Sequence, residues 1–173
     1  MGSIRPLEPE DDLGAFDSGN EDLDRFLRKH AAKNQYQLHI GVTYVAIEGK
    51  RIVGFVTVAP GSIQSDELPV ASVKKLPAYP LPILRLARLA IDRSRQRQGI
   101  GSAIVRFVFL QALEMMKKYG CLGVVVDAKP TSVGFYTALG FEPLAALEGQ
   151  IRGPEEPLPL FMPIEVIQAS TPP

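Results

Sequence analysis

The run Arg93-Ser94-Arg95-Gln96-Arg97-Gln98-Gly99-Ile100-Gly101 sets three arginines and two glycines directly before an apolar segment. Residues 83–92 in front of it alternate enough to form a mostly buried strand. Residues 102–119 behind it are apolar on more than one helical face. A helix that starts after such a turn points unpaired backbone amides outward, and its dipole adds positive potential there. The glycines let a ligand approach that backbone, and Arg93, Arg95 and Arg97 add charge. The chemistry this pattern supports is anion binding, with a pyrophosphate as the best fit.

Other chemistries find less support. Gly99 and Gly101 are followed by Ile104 where a dinucleotide fingerprint needs a third glycine, and a Gly-Lys-Ser/Thr phosphate loop is absent. His30 and His39 have no companion at metal-ligand spacing, so no metal is expected. The single cysteine, Cys121, excludes an internal disulfide, suits a reducing compartment and reads as a small core residue. The 19 basic and 19 acidic residues cancel, so a nucleic-acid partner would need a local basic patch. No run is long enough for a membrane span and residues 1–10 lack a signal core, so a cytoplasmic protein is expected.

The elements that must position the turn follow from patterning. At 173 residues one domain is expected, with an α/β architecture. A short first strand is expected within residues 1–12. A helix then starts near Ser18 or Asn20 and runs to about Lys33, followed by a polar link over residues 34–40. Residues 42–47 and 52–59 read as a hairpin ended by Pro60 and Gly61. The proline-bearing residues 64–82 read as loop, with a helical turn near residues 70–76. The apolar run 122–127 is a buried strand. Strand 83–92, helix 102–119 and strand 122–127 therefore form a βαβ unit. A short helix over residues 132–139 ends at Gly140, and a strand over residues 160–166 contains Pro163, which marks it as edge or broken.

Gln96-Arg97-Gln98-Gly99-Ile100-Gly101 fits the (Gln/Arg)-x-x-Gly-x-(Gly/Ala) signature of the GNAT superfamily of N-acetyltransferases, and Phe135-Tyr136-Thr137-Ala138-Leu139-Gly140-Phe141 follows downstream. Within that superfamily the chain most resembles the toxins of type II toxin–antitoxin modules that acetylate aminoacyl-tRNA. The resemblance rests on Phe16-Asp17-Ser18-Gly19, Leu23-Asp24-Arg25-Phe26-Leu27, Val53-Gly54-Phe55, Ala59-Pro60-Gly61-Ser62 and Leu86-Ala87-Arg88-Leu89-Ala90-Ile91-Asp92. Where toxin relatives often have His-Ala, this chain has Asp127-Ala128, and Lys129 stands where many GNAT enzymes carry Asn.

The resemblance implies a mixed sheet splayed between its middle strands, with helices on both faces. It also implies an acetyl-CoA site. Leu89, Ala90 and Ile91 would carry the pantetheine along their strand, while Gln96, Arg97, Gln98, Gly99, Ile100, Gly101 and Ser102 would hold the pyrophosphate. Tyr136 would serve as the acid for the departing thiolate, since a phenol with a pKa near ~10 stays protonated at neutral pH. The favoured acceptor is the α-amine of aminoacyl-tRNA; a small-molecule amine or a protein amine is the alternative, and an acyl-CoA sensor without turnover is a third reading. Arg88 and Arg93 are the candidate acceptor contacts. Arg88 could instead pair with Asp92 or Glu114 inside the strand. A ribbon-helix-helix antitoxin and a homodimer are the partners the resemblance implies.

Overall fold

The computed structural model describes residues 2–68, 76–145 and 153–171. Seven strands make one mixed sheet, in the spatial order β1 (Ser3–Pro6), β2 (Val42–Glu48), β3 (Arg51–Ile63), β4 (Leu81–Ile91), β5 (Gly123–Ala128), β7 (Leu158–Pro163), β6 (Glu142–Pro143). The pairs β1–β2, β2–β3, β5–β7 and β6–β7 are antiparallel. β4 and β5, joined through helix α3 (Ile100–Lys118), run the same way. Leu122 N donates to Pro82 O at 2.9 Å near their starts, and Arg85 pairs with Asp127 at 3.0 Å further along both strands. Two compact units share the chain: residues 1–59 with 86–108, and residues 60–85 with 109–173.

In the first unit, β2 and β3 pair from Val42↔Val58 to Glu48↔Arg51 across a tight turn in which Gly49 has φ +60°. Helix α1 (Glu21–Lys29) is capped by Asn20, whose side chain accepts from Leu23 N at 3.1 Å, with acidic residues in its first turn. Its buried Phe26 and Leu27 join Phe16, Val45, Phe55 and Ala90 in one cluster, where Phe26 stacks on Phe55 with ring centroids 6.3 Å apart. The helix stops at Lys29, short of Lys33, because His30 leaves helical geometry (φ −123°, ψ −29°) while its N–H still bonds Phe26 O. A separate three-residue helix α2 (Ala31–Lys33) fills the rest of the expected helix, and a π-helical turn, Asn34–Leu38, occupies most of the span expected to be a polar link. The opposite sheet face meets α3: a Cβ on Gly54 would lie 2.9 Å from both Ile104 Cδ1 and Ile91 Cδ1. Helices thus cover both faces of this unit's strands.

In the second unit, β3 continues through Pro60 and Gly61 to Ile63, beyond the expected stop. The last β2 partner pair is Val42↔Val58, so the missing N–H of Pro60 removes no bond to β2. Ile63, Leu68, Ile83, Val125 and Phe161 form this unit's core cluster. β7 is flanked on both sides, by β5 and β6, and is not an edge strand. Pro163 sits at its final pair, Gly123↔Pro163, and the chain then turns into α5 (Ile164–Ser170), where the strand was expected to continue. Helix α4 (Val133–Ala138) is followed by Gly140 at φ +103°. Of the helical turn expected near residues 70–76, only Leu76 lies within the described residues.

Candidate active site

The turn after β4 is built around Asp92, which is 2% exposed. Its Oδ1 accepts from Ser94 Oγ at 2.7 Å, Ser94 N at 3.0 Å and Arg51 Nη2 at 3.1 Å; its Oδ2 accepts from Asp17 N at 3.1 Å. Burial by itself raises this carboxyl, but the bonds from Ser94 and Asp17 and the charge of Arg51 outweigh it and hold it below the usual carboxylate value. Asp92 N also donates to Val53 O at 2.9 Å, which ties the strand end to β3. In the sequence Asp92 stood out only as the strand end and as a candidate partner for Arg88, not as the centre of the turn. The visible signal was Asp92-x-Ser94 at a strand end, the pattern of an aspartate capping its own turn.

The same turn is fastened to residues 17–18. Arg93 N donates to Asp17 O at 2.8 Å, and Arg93 Nε to Asp17 Oδ1 at 3.2 Å. The Gln96 amide donates to Ser18 O at 2.9 Å and to Ile91 O at 3.0 Å. Gln96, expected among the cofactor contacts, therefore spends its side chain on holding the turn. Arg95 pairs with Glu48 at 3.3 Å, so neither Arg93 nor Arg95 is an unengaged cation.

What remains open is the backbone from Arg97 to Ser102. Arg97 (φ +62°) and Gly99 (φ +84°) both lie in the left-handed region on either side of Gln98. Ala103 N is the first amide to bond back, to Gly99 O at 3.1 Å. Among the described residues no acceptor within the protein receives a hydrogen bond from the six amides of residues 97–102. Residues 97–99 are exposed, and a Cβ on Gly99 would meet nothing within 4 Å. Six N–H groups without a partner in the protein at this helix start, three of them on exposed residues and with Arg97 in the same turn, are chemically suited to a multiply charged anion. Leu89, Ala90 and Ile91 lead into this turn; Ala90 is buried in the α1-side cluster and the other two are half-buried.

Arg88 is exposed, contrary to the expectation of a charge buried in the strand. It makes no ion pair among the described residues: Asp92 is held by Arg51, and Glu114 by Lys117 at 3.8 Å. Its Cζ instead lies 3.8 Å from the centroid of the Phe26 ring.

In the second unit, Tyr136 on α4 is 4% exposed. Its ring packs edge-to-face against Phe135 (5.0 Å) and Phe141 (5.4 Å), and burial pushes its phenol well above the ordinary value. Such a group stays protonated through the physiological range and can donate a proton or a hydrogen bond. Asp127, paired with Arg85, borders a cavity of about 260 Å³ that Ser62 and Glu67 also line. Cys121 is buried, its thiol raised by burial, as expected of a core residue. Among the described residues no group of His, Cys, Asp and Glu could hold a metal ion, and no helix is long and apolar enough to cross a membrane.

Residues 39–143 match the acetyltransferase (GNAT) domain family. The chain is 32% identical, over 80% of its length and 82% of the relative's, to a tRNA-acetylating toxin of Mycobacterium tuberculosis (strain ATCC 25618 / H37Rv). It superposes with a TM-score of 0.85 and 28% identity on AtaT complexed with acetyl-methionyl-tRNAfMet, covering 97% of this chain and 98% of that one. With a TM-score of 0.75 and 26% identity it matches a tyrosine-to-phenylalanine mutant of AtaT bound to the C-terminus of the antitoxin AtaR and to acetyl-CoA, covering 97% and 96%.

Proposed function

Because this chain belongs to the GNAT family of acetyltransferases, we propose that it moves the acetyl group of acetyl-CoA onto the α-amine of an aminoacyl-tRNA, acting as a toxin that blocks translation. The observation that carries the reading is the row of six unengaged amides from Arg97 to Ser102, which suits the pyrophosphate of CoA. The likeness to a tRNA-acetylating toxin and to AtaT with an acetylated aminoacyl-tRNA supports the acceptor. In the transfer, the amine nitrogen attacks the thioester carbonyl carbon; a C–N bond forms and the C–S bond breaks. Tyr136 gives its proton to the departing sulfur, and the proton lost by the nitrogen restores the phenol. Holding the phenol above its ordinary value keeps it in the donating form.

The test is CoA release with bulk aminoacylated tRNA, comparing Tyr136→Phe with the parent chain. A loss of about a hundredfold or more in kcat is expected, within the range for a general acid. Acetyl-CoA affinity should be retained. Unchanged turnover would remove Tyr136 from the chemistry. Turnover with small amines alone would sink the tRNA acceptor, and tight acetyl-CoA binding without any turnover would leave a sensor. The reading extends to a homodimer in the cytoplasm held in check by a ribbon-helix-helix antitoxin; AtaT bound to the C-terminus of the antitoxin AtaR supports an antitoxin partner. A monomeric mass in solution would remove the dimer.

A further inference from the structure

We propose that Arg88, laid over Phe26, is a preset phosphate clamp for the nucleic-acid acceptor; the inference rests on the tRNA reading above. The argument begins with which cations are available. In the first unit Arg5, Arg25, Arg51, Arg93 and Arg95 are each paired with a carboxylate at 2.7–3.3 Å. Arg28 donates to Phe16 O at 3.2 Å. Among the arginines of the described residues only Arg88, Arg97 and Arg106 make neither an ion pair nor a side-chain hydrogen bond; Lys29, Lys33 and Lys50 are also without an ion pair, but an ammonium is a point charge that lacks the guanidinium's fork. Arg97 belongs to the open turn, and Arg106 has no aromatic ring beneath it.

Arg88 is therefore unusual: exposed, unpaired, and held on a ring that is itself 6% exposed and stacked on Phe55. The ring attracts the guanidinium and restricts a side chain that would otherwise lose much freedom on binding. The N–H donors make no hydrogen bond among the described residues, and a guanidinium matches a phosphate as a two-pronged fork.

Placement supports a role toward the acceptor. Strand alternation puts Arg88 on the same face as Ala90, which packs in the α1-side cluster with Phe26. Ile91 faces the other way and meets Ile104 of α3 above Gly54. The open turn begins α3, so the anion it suits and the Arg88 clamp address the strand from opposite faces. A donor and an acceptor that must meet at one strand need that separation. Phe26 is the positioning residue for Arg88.

The experiment measures direct binding of unacylated bulk tRNA to the full chain between about 50 and 200 mM salt, alongside acetylation kinetics. Arg88→Gln is expected to raise KM for aminoacyl-tRNA about tenfold, as loss of one charge-assisted contact does, with kcat changed less than about twofold. Its slope of log K against log salt should fall by about 0.7 to 0.9, one phosphate contact. Arg88→Lys should restore the slope but only part of the affinity, since it keeps charge and loses the fork. Phe26→Leu, assayed below its melting temperature, should leave the slope intact and raise KM. Acetyl-CoA affinity should be unchanged in all three. An Arg88→Gln chain with unaltered salt slope overturns the clamp, whatever happens to KM. Loss of acetyl-CoA affinity in that variant overturns it as well. Because the slope is read without catalysis, a parent chain that binds tRNA through Arg88 yet acetylates none of it would sink the amine assignment and leave the clamp standing.

Discussion

Replacing Asp92 by Asn keeps the shape of the side chain and removes one charge from the centre of the turn. Of the four hydrogen bonds the carboxylate accepts, the three to Oδ1 come from Ser94 and Arg51 and the one to Oδ2 from Asp17 N. An amide oxygen can replace only one of these two acceptors. Whichever way the amide is turned, its NH₂ faces an N–H or a guanidinium. Breaking a fully buried charge pair costs about 3–5 kcal/mol. Here the Arg51 side chain is 47% exposed and recovers water, which argues for a smaller loss of about 2 kcal/mol. For a chain of this size that is a fall in Tm of about 4–8 °C. The pH dependence supplies a second, independent reading. The Asp92 carboxyl is held below its unfolded value, so its stabilisation is complete above that value and disappears as pH falls through the folded one. The difference in Tm between the parent and Asp92→Asn should thus be full at pH 7 and shrink below about pH 4. Asp11, also lowered through its bond to Arg5, contributes acid sensitivity to both proteins and cancels in the difference. Differential scanning calorimetry at pH 7, 5 and 3.5 measures this. Equal melting temperatures at pH 7, or a difference that persists undiminished at pH 3.5, would refute the account of the turn.

Three substitutions at two glycines separate conformation from charge and packing. Gly99→Ala, with φ +84° and open space at the Cβ position, should cost about 1 kcal/mol of strain. Gly99→Asp adds a negative charge where an anion is expected and should weaken acetyl-CoA binding at least about tenfold beyond Ala by titration calorimetry; equal affinities for the two variants would remove the pyrophosphate from this turn. Gly54→Ala sets a methyl 2.9 Å from Ile104 Cδ1 and Ile91 Cδ1 and 3.3 Å from Ala90 O. The side-chain ends can move aside but the carbonyl yields little, so urea denaturation should show a loss of about 1–3 kcal/mol, and no loss would mean that α3 can withdraw from β3.

Local chemistry made the strand, turn and helix around Gly99 legible. The strand begins two residues earlier than expected, at Leu81, and the helix two residues earlier, at Ile100. The β2–β3 hairpin and the Asn20 cap were readable for the same reason: each is decided by residues within a few positions of one another. What sequence order concealed depends on distant partners. β3 runs past Pro60 because β2 has already ended there, and β7 is an inner strand because residues 142–143 return to pair with it. Gln96 reads as a motif position, yet its amide bonds a carbonyl 78 residues away, and Asp92 bonds an amide 75 residues away. Arg88 was read either as an acceptor contact or as a strand charge paired with Asp92 or Glu114. The structure supplies an aromatic ring in place of that carboxylate, and no periodicity reports that choice.

These distant bonds give a physical meaning to a short segment that carried only resemblance before. Asp17, Ser18 and Gly19 precede α1 and contain no apolar residue, so core packing does not explain them. Asp17 offers its N–H to Asp92, its carbonyl to Arg93 N and its carboxylate to Arg93 Nε. Ser18 gives its carbonyl to Gln96, while its hydroxyl and N–H are held by the buried Asp24 of α1. Gly19 has φ +88°, and a Cβ there would come within 3.2 Å of Arg93 Nε. The segment is thus a latch whose one side grips α1 through Asp24 and whose other side grips the turn through Asp92, Arg93 and Gln96. An open backbone of six unengaged amides would collapse onto whatever acceptors lay near it unless the residues on either side were already satisfied. By occupying the nearby acceptors, namely the Asp92 and Asp17 carboxylates and the carbonyls of Asp17 and Ser18, these bonds leave the amides of residues 97–102 free for an anion.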